Sequence, residues 1–318
     1  VLNYIFYAKI RKSNISINYK KMNFKDKSLV FLRFKSILIL SALILLSVFA
    51  VSAQENTEKT PTAQPTPKAS PTPTGNQNPN TREAQTAAIV DKNNLTAEQI
   101  VESTIFIYGG GLGRVNLDQI RKSTIERGKL MTIDAKGKSE SANYERWVVR
   151  GENLDKEKVR LVKEFPNAKF ALISNGVKVF GVYDNAVFQP REDATKEFQN
   201  RIWHGLEAIL RYKENGSTLE LAGRDKILGV DFYLLDVTDK QNRKTRFFIS
   251  QKSFRVMALE YTEDAVKYKR KFYDYNYAQG TLVPYKTTLW ADDKKVEEMS
   301  IQTISFGQKI EDYFFQEG

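Results

Sequence analysis

Cysteine is absent from the 318 residues, and histidine occurs once, at position 204. Without thiols there is no disulfide framework, thiolate metal site, cysteine nucleophile or lipid attachment at a cysteine. A single histidine excludes two-histidine zinc motifs and weakens every triad reading. Proline is scarce outside one stretch: six of the nine prolines lie within 54–88. Long apolar runs are also missing. The longest, residues 37–51 (ILILSALILLSVFAV), falls short of the ~20 residues that span a bilayer comfortably.

The formal net charge of +11 is unevenly distributed. Residues 1–36 hold nine basic residues and one acid, 37–88 are neutral, and 89–318 carry a net +3. The basic character therefore belongs to the leader. Both signs are scattered over the rest, as on a solvated surface and unlike a phosphate-binding stripe, so no nucleic-acid partner is expected.

Three segments follow. Arg33 and Lys35, the apolar run and Val-Ser-Ala at 51–53 have the order of a secretory signal cut after Ala53, leaving Gln54 first. Segment 1–53 is thus expected to be a leader, with Met22 as the expected true start. An uncut leader anchoring the chain to the inner membrane through 37–53 is the alternative. Residues 54–88, rich in Pro, Thr, Ser, Gln and Asn, cannot bury a core and predict a disordered linker. Residues 89–318 hold 29 aromatics and predict one folded domain.

That domain opens with a helix. Thr96 and Gln99 form a capping-box pair, Ile100, Thr104 and Ile107/Tyr108 keep helical spacing, and Gly109-Gly110-Gly111 ends it. A second helix is predicted over 191–214, with Phe198, Ile202, Leu206, Ile209 and Leu210 on one stripe. Nearly everything else reads as strand: 123–133, 141–150, 158–165, 170–175, 177–183, 232–238, 245–250, 254–262, 266–278, 281–291 and 296–306. Tight turns at Asn175-Gly176, Lys136-Gly137, Gln241-Asn242 and Gln279-Gly280 predict antiparallel neighbours. The expectation is a mainly β (α+β) fold: a curled antiparallel sheet of about eleven strands forming an incomplete barrel, its concave side covered by helices.

Several elements in this order resemble the LolA/LolB-like periplasmic lipoprotein carriers and the broader outer-membrane lipoprotein-sorting proteins. They are the N-terminal helix, the strand of the Ile125–Ile133 type, Asn175-Gly176 leading to Val179, Phe180 and Tyr183, and the helix over 191–214. Gly223-Arg224 with Gly229, Tyr233 and Leu235, Phe247-Phe248-Ile249-Ser250, and Tyr273-Asp274-Tyr275 followed by Gly280 and Pro284 complete the pattern over 95–315. The resemblance implies a periplasmic, non-enzymatic carrier whose apolar interior receives acyl chains. The partners it implies are lipid or lipoprotein acyl chains, with inner- or outer-membrane proteins at either end of the transfer. No cofactor and no metal are expected, and the chain is expected to be a monomer. The alternative is a membrane-tethered structural or sensory envelope module on the same fold.

An acyl-chain site needs apolar area and little else. The candidate lining is Trp147, Val149, Tyr233, Leu235, Val237, Phe247, Ile249, Met257, Leu259 and Leu289, unless helix 191–214 fills the concavity and makes these ordinary core. Phe198, Ile202, Trp203 and Leu206 are the candidate lid, with Trp203 either plugging the mouth or capping the core edge. His204 reads as a satisfied surface or rim residue. Tyr273, Tyr275 and Tyr277, with Lys269 and Lys271, are expected on one solvated strand face. The glycine cluster at 109–113 and Gly137-Lys138-Ser139 lack the full spacing of phosphate loops and read as turns. Carboxylates are too scattered to nominate a catalytic pair.

Overall fold

The computed structural model describes residues 94–317. The leader and linker predicted over 1–88 lie outside the described residues. No described helix is long and apolar enough to cross a membrane.

Helix α1 (Ala97–Tyr108) carries the expected capping box. The Thr96 hydroxyl accepts from the Gln99 backbone N–H at 3.2 Å, and the Gln99 side-chain Oε1 accepts from the Thr96 backbone N–H at 2.9 Å. Its buried face is Ile100, Val101, Thr104, Ile105 and Tyr108. The glycine cluster ends α1 and then starts a short helix missed in the sequence, α2 (Arg114–Ile120).

Thirteen strands follow, two more than expected. They are β1 (Ser123–Ile133), β2 (Ser139–Val149), β3 (Lys158–Phe165), β4 (Ala168–Asn175), β5 (Val179–Tyr183) and β6 (Ala186–Phe188), then β7 (Thr218–Ile227) and β8 (Val230–Thr238). The last five are β9 (Lys244–Ser250), β10 (Val256–Glu263), β11 (Val266–Ala278), β12 (Thr281–Ala291) and β13 (Lys294–Phe306). The additions are β6 and β7. Both are edge strands without a continuous apolar face, which is why alternation did not reveal them. The order is β6-β5-β4-β3-β2-β1-β13-β12-β11-β10-β9-β8-β7, antiparallel throughout. Two meanders thus run in opposite directions from a central β1–β13 pair, and β6 and β7 are the two edges, not paired with each other. The sheet is an incomplete barrel.

This topology dictates the helices. The link from β6 to β7 joins opposite edges, so it must cross the inner face. It does so as α3 (Glu192–Trp203) and α4 (Leu206–Leu210). The single helix expected over 191–214 is therefore corrected to two. His204 and Gly205 leave helical geometry between them, Gly205 being extended at φ −106°, ψ −177°. Glycine is a weak helix former, and the His204 side chain is held by the sheet rather than by solvent.

Curvature needs close approach at Gly128, where β1 and β13 slip register. A Cβ there would meet the Tyr144 ring at 2.9 Å. Hairpin turns have two residues at positive φ, the arrangement that matches strand twist. Asp264 (49°) and Ala265 (65°) make one of them. Alanine is strained there by roughly 1–2 kcal/mol, partly offset in a glycine replacement by chain entropy. Ala265→Gly should therefore stabilise the fold by about 0.5–1 kcal/mol in urea unfolding. No gain would mean that the turn relaxes without cost.

The expected Tyr ladder on β11 is also corrected. Asp274 adopts φ 53° and breaks the alternation. Tyr273 and Tyr277 stay exposed, whereas Tyr275 turns inward, meets the Tyr108 hydroxyl at 3.0 Å and bonds to the Val256 carbonyl.

Candidate functional site

The inner face is divided between a packed half and a hollow half. In the packed half α1 and α4 lie against β8, β9 and β10. Ile100, Ile105, Ile209, Tyr233, Leu235, Phe247, Ile249 and Leu259 are completely or almost completely buried in one cluster. Val237 belongs to the same cluster. These five strand candidates and Val237 are therefore core, because α1 occupies the concavity that they would have lined. Burial of each such side chain contributes about 1.5–3 kcal/mol, which makes this half the anchor of the domain.

The other four candidates sit elsewhere. Trp147 and Val149 face the outer side, where they pack with Phe315 and with Phe314, whose ring lies 5.7 Å from that of Trp147. Met257 also packs outside, with Phe232 and Phe248. Its phase is shifted by a bulge between Val256 and Ala258. Leu289 is buried at register with Arg270 and Glu297, but it is not among the residues that line the cavity. A one-residue phase error sends a whole strand's side chains to the other face. On β2 the apolar Trp147 and Val149 suggested one phase, yet the inner face carries Tyr144, Arg146 and Val148.

The hollow half holds a cavity of about 190 Å³. Its floor comes from β1, β2, β3, β11, β12 and β13, with Tyr144, Val148, Leu161, Phe272 and Met299 among the apolar walls. Phe198 and Ile202 of α3 and Leu206 of α4, three of the four lid candidates, line its helical side, the roof of the cavity. Trp203, the fourth, turns toward the packed half, and the Arg243 guanidinium lies 4.0 Å over its ring. It caps a core edge.

What sequence reading missed is the ionic content of this cavity. Six arginines line it (Arg121, Arg146, Arg150, Arg201, Arg211, Arg270) along with three glutamates (Glu126, Glu157, Glu207). Glu126 is buried and accepts from the Tyr144 hydroxyl at 2.6 Å and from Arg146 at 3.0 Å. Burial first, then the Glu126 charge, pushes the Tyr144 phenol far up. Arg211, 2% exposed, reaches Glu157 at 3.0 Å, Glu214 at 2.6 Å and the Gly151 carbonyl at 2.7 Å. Burial and then Glu207 raise the Glu157 carboxyl to about 7, against the pull of Arg211.

Three ion pairs tie the roof to its surroundings. Arg201 on α3 grips Glu297 on β13 through both carboxylate oxygens, one at 2.8 Å. Arg121 reaches Glu207 of α4 at 3.0 Å and the Leu282 carbonyl at 2.8 Å. The third is Arg211 with Glu157. Burial raises the Glu297 carboxyl, but Arg201, then Arg270 and Lys163, outweigh it and hold it below the usual range.

His204 lies on the other side of the roof. It is 2% exposed, so the expectation of a rim residue is corrected. Its ring stacks on Tyr261 at 4.1 Å, and Nδ1 meets the Thr245 hydroxyl at 2.6 Å. Burial, followed by the nearby Arg243, lowers its pKa to about 4. Among the described residues no group of three His, Asp or Glu is placed to hold a metal ion.

No family model and no curated protein matches this chain. Solved structures do resemble it. An outer membrane lipoprotein-sorting protein domain from Vibrio parahaemolyticus is 15% identical at a TM-score of 0.49, over 69% of this chain and 97% of that one. A DUF1329 family protein from Desulfovibrio piger is 12% identical at a TM-score of 0.50, over the same shares of the two chains. A LolA superfamily protein from Nitrosomonas europaea is 13% identical at 0.48, over 70% of this chain and 98% of that one. At such identities the likeness is one of fold. The open, helix-covered antiparallel sheet is a fold that this chain shares with the DUF1329 family protein.

Proposed function

We propose that this protein is a lipid- or lipoprotein-binding carrier of the bacterial envelope, taking acyl chains between the inner face of the sheet and α3–α4. The observation that carries this reading is the cavity under α3–α4, walled by Val148, Leu161, Phe198, Phe272 and Met299. Each buried methylene contributes about 0.8 kcal/mol, so even part of an acyl chain binds usefully there. The cavity is smaller than the ~300–1,000 Å³ of ordinary ligand pockets. A full chain therefore requires α3–α4 to move outward. The lid is held by ion pairs and by one modest apolar stripe, which is compatible with opening and with release of cargo. Release into the periplasm after cleavage near Ala53, delivery toward the outer membrane and a monomeric state belong to the same proposal.

A second reading is favoured by the packed half. There α1 fills the concavity and Tyr233, Phe247 and Leu259 leave no space. A tethered envelope module would use the same fold without cargo.

The test is mass spectrometry of the protein isolated from its native envelope, intact and after organic extraction. The carrier reading expects a mature chain beginning at Gln54 with stoichiometric lipid or acylated protein. An uncut leader and an extract without lipid would sink it and leave the tethered module.

A further inference from the structure

The ion pairs around the cavity almost balance, and the imbalance has an address. Glu126 pairs with Arg146, Glu207 with Arg121, Glu297 with Arg201, and Glu157 and Glu214 with Arg211 and Arg150. Arg270 is left over. Among the described residues it forms no ion pair, the Glu297 charge acting on it only from beyond ion-pair distance, and its Nη2 is buried without a hydrogen-bond partner. It projects from β11 on the inner face, two residues from Phe272, which also lines the cavity. In the same cavity Arg146 spends one Nη on Glu126, while its Nε, like that of Arg121, is buried and unpartnered.

A buried guanidinium donor without an acceptor is costly, about 1–3 kcal/mol for each polar group and more for charged ones. Such a group persists where a water, an ion or a bound ligand completes it, or where the fold bears the cost. Guanidinium donors match a planar carboxylate, which accepts two parallel N–H bonds. Around these donors the walls are apolar: Leu161, Phe198, Phe272 and Met299. The combination of unpaired arginine donors and aliphatic walls suits an anion that carries a hydrocarbon chain. It does not suit a free sugar, nucleotide or metal.

We propose that the cavity binds a fatty-acid-type monocarboxylate head-inward, its carboxylate on Arg270 with Arg146 beside it. This deepens the lipid-binding reading and rests on it. The space of about 190 Å³ admits about six groups of methylene or water size. The cavity as it stands therefore takes the head and the first few carbons, and a longer chain needs α3–α4 displaced. Arg270 is a binding group that the unliganded fold tolerates at a cost. Its replacement by an apolar residue should stabilise the empty protein while it removes the preference for an acid.

The experiment titrates the full-length, delipidated protein with octanoate and, separately, with 1-octanol, by calorimetry. Octanoate should bind about 10–100-fold more tightly than octanol, the range of a hydrogen bond to a charged group. In Arg270→Leu that preference should vanish with octanol affinity unchanged, and the melting temperature of the ligand-free variant should rise. Equal affinity of the wild type for acid and alcohol would overturn the carboxylate site and leave apolar chain binding intact. Binding of neither would overturn both. A preference that survives in Arg270→Leu would also refute the assignment, and Arg270→Gln serves as the polar variant should the leucine fail to fold.

Discussion

Glu297→Ala should cost this domain about 3–5 kcal/mol, the range for breaking a buried ion pair by removing one partner. Glu297 is 3% exposed and faces Arg201, with Arg270 and Lys163 also drawing on its charge. Without it, Arg201 keeps only Glu197, at 3.0 Å and near the surface, and Arg270 loses the nearest carboxylate field. For a domain of this size the melting temperature should fall by roughly 6–20 °C. The mechanism is desolvation, so its signature is recovery when the stranded cation also goes. An Arg201→Met, Glu297→Leu double variant should regain most of the loss. By comparison, Arg127→Ala breaks an exposed pair with Glu145 at 2.6 Å and should cost about 0–1 kcal/mol. Thermal melts of the four proteins decide the matter. A loss of less than 1 kcal/mol in Glu297→Ala would show that water enters this corner of the cavity and solvates Arg201 unaided. Because Arg201 is on the roof and Glu297 on the floor, the same pair also sets how firmly α3 is held down.

His204 should make stability depend on pH well above the range of ordinary carboxylates. In the folded chain its pKa is near 4, lowered by burial and then by Arg243, with Arg270 adding to the effect and Asp239 opposing it. Unfolded histidine titrates near 6.5. The unfolded state therefore takes up a proton first as the pH falls. The stabilisation from neutral His204 is complete above 6.5 and is lost as the pH drops through the folded value. By pH 4.5 the loss should reach about 2.5 kcal/mol. Glu157 works in the opposite direction, since its folded pKa lies near 7. Its contribution is full below the unfolded value, near 4.5, and is lost as the pH rises through 7. The two slopes partly cancel between pH 4.5 and 6.5, so wild-type stability alone is a poor readout. The informative quantity is the difference between wild type and His204→Gln in urea unfolding from pH 7 to 4.5. It should shift by about 2.5 kcal/mol in favour of the variant. A pH-independent difference would mean that the imidazole already reaches water in the folded protein. The neutral ring accepts from or donates to Thr245 and stacks on Tyr261, and both contacts hold the α3–α4 junction to β9 and β10.

Local chemistry was readable where the chain decides its own conformation. The Thr96–Gln99 capping box, the glycine stop after Tyr108 and strands such as β1, β3, β11 and β12 were legible because each rests on neighbours in sequence. The faces of strands were less so. On β2 an arginine and a buried tyrosine occupy the inner side while Trp147 points out, an inversion possible only because the C-terminal turn (Asp312–Phe315) covers the outer face with Phe314 and Phe315. The break at His204-Gly205 was hidden by an apolar stripe that continues across it.

The candidate site shows the same division more sharply. Phe198, Ile202 and Leu206 were recognisable as one apolar stripe because their spacing is helical. The arginines were not recognisable, since a scattered arginine in a strand reads as surface. Their burial depends on which residues the opposite meander and the crossing helices bring near. By itself the sequence determined an antiparallel, aromatic-rich sheet with too few helices to cover both faces, because strand alternation and turn chemistry are local. Only the tertiary structure decided that α1 fills one half, that the hollow lies under α3–α4, and that the Arg270 Nη2 is left there without a hydrogen-bond partner. Those outcomes are set by the pairing of β1 with β13, a long-range contact between strands separated by nearly the whole domain. No local pattern encodes which side chains such a closure brings together.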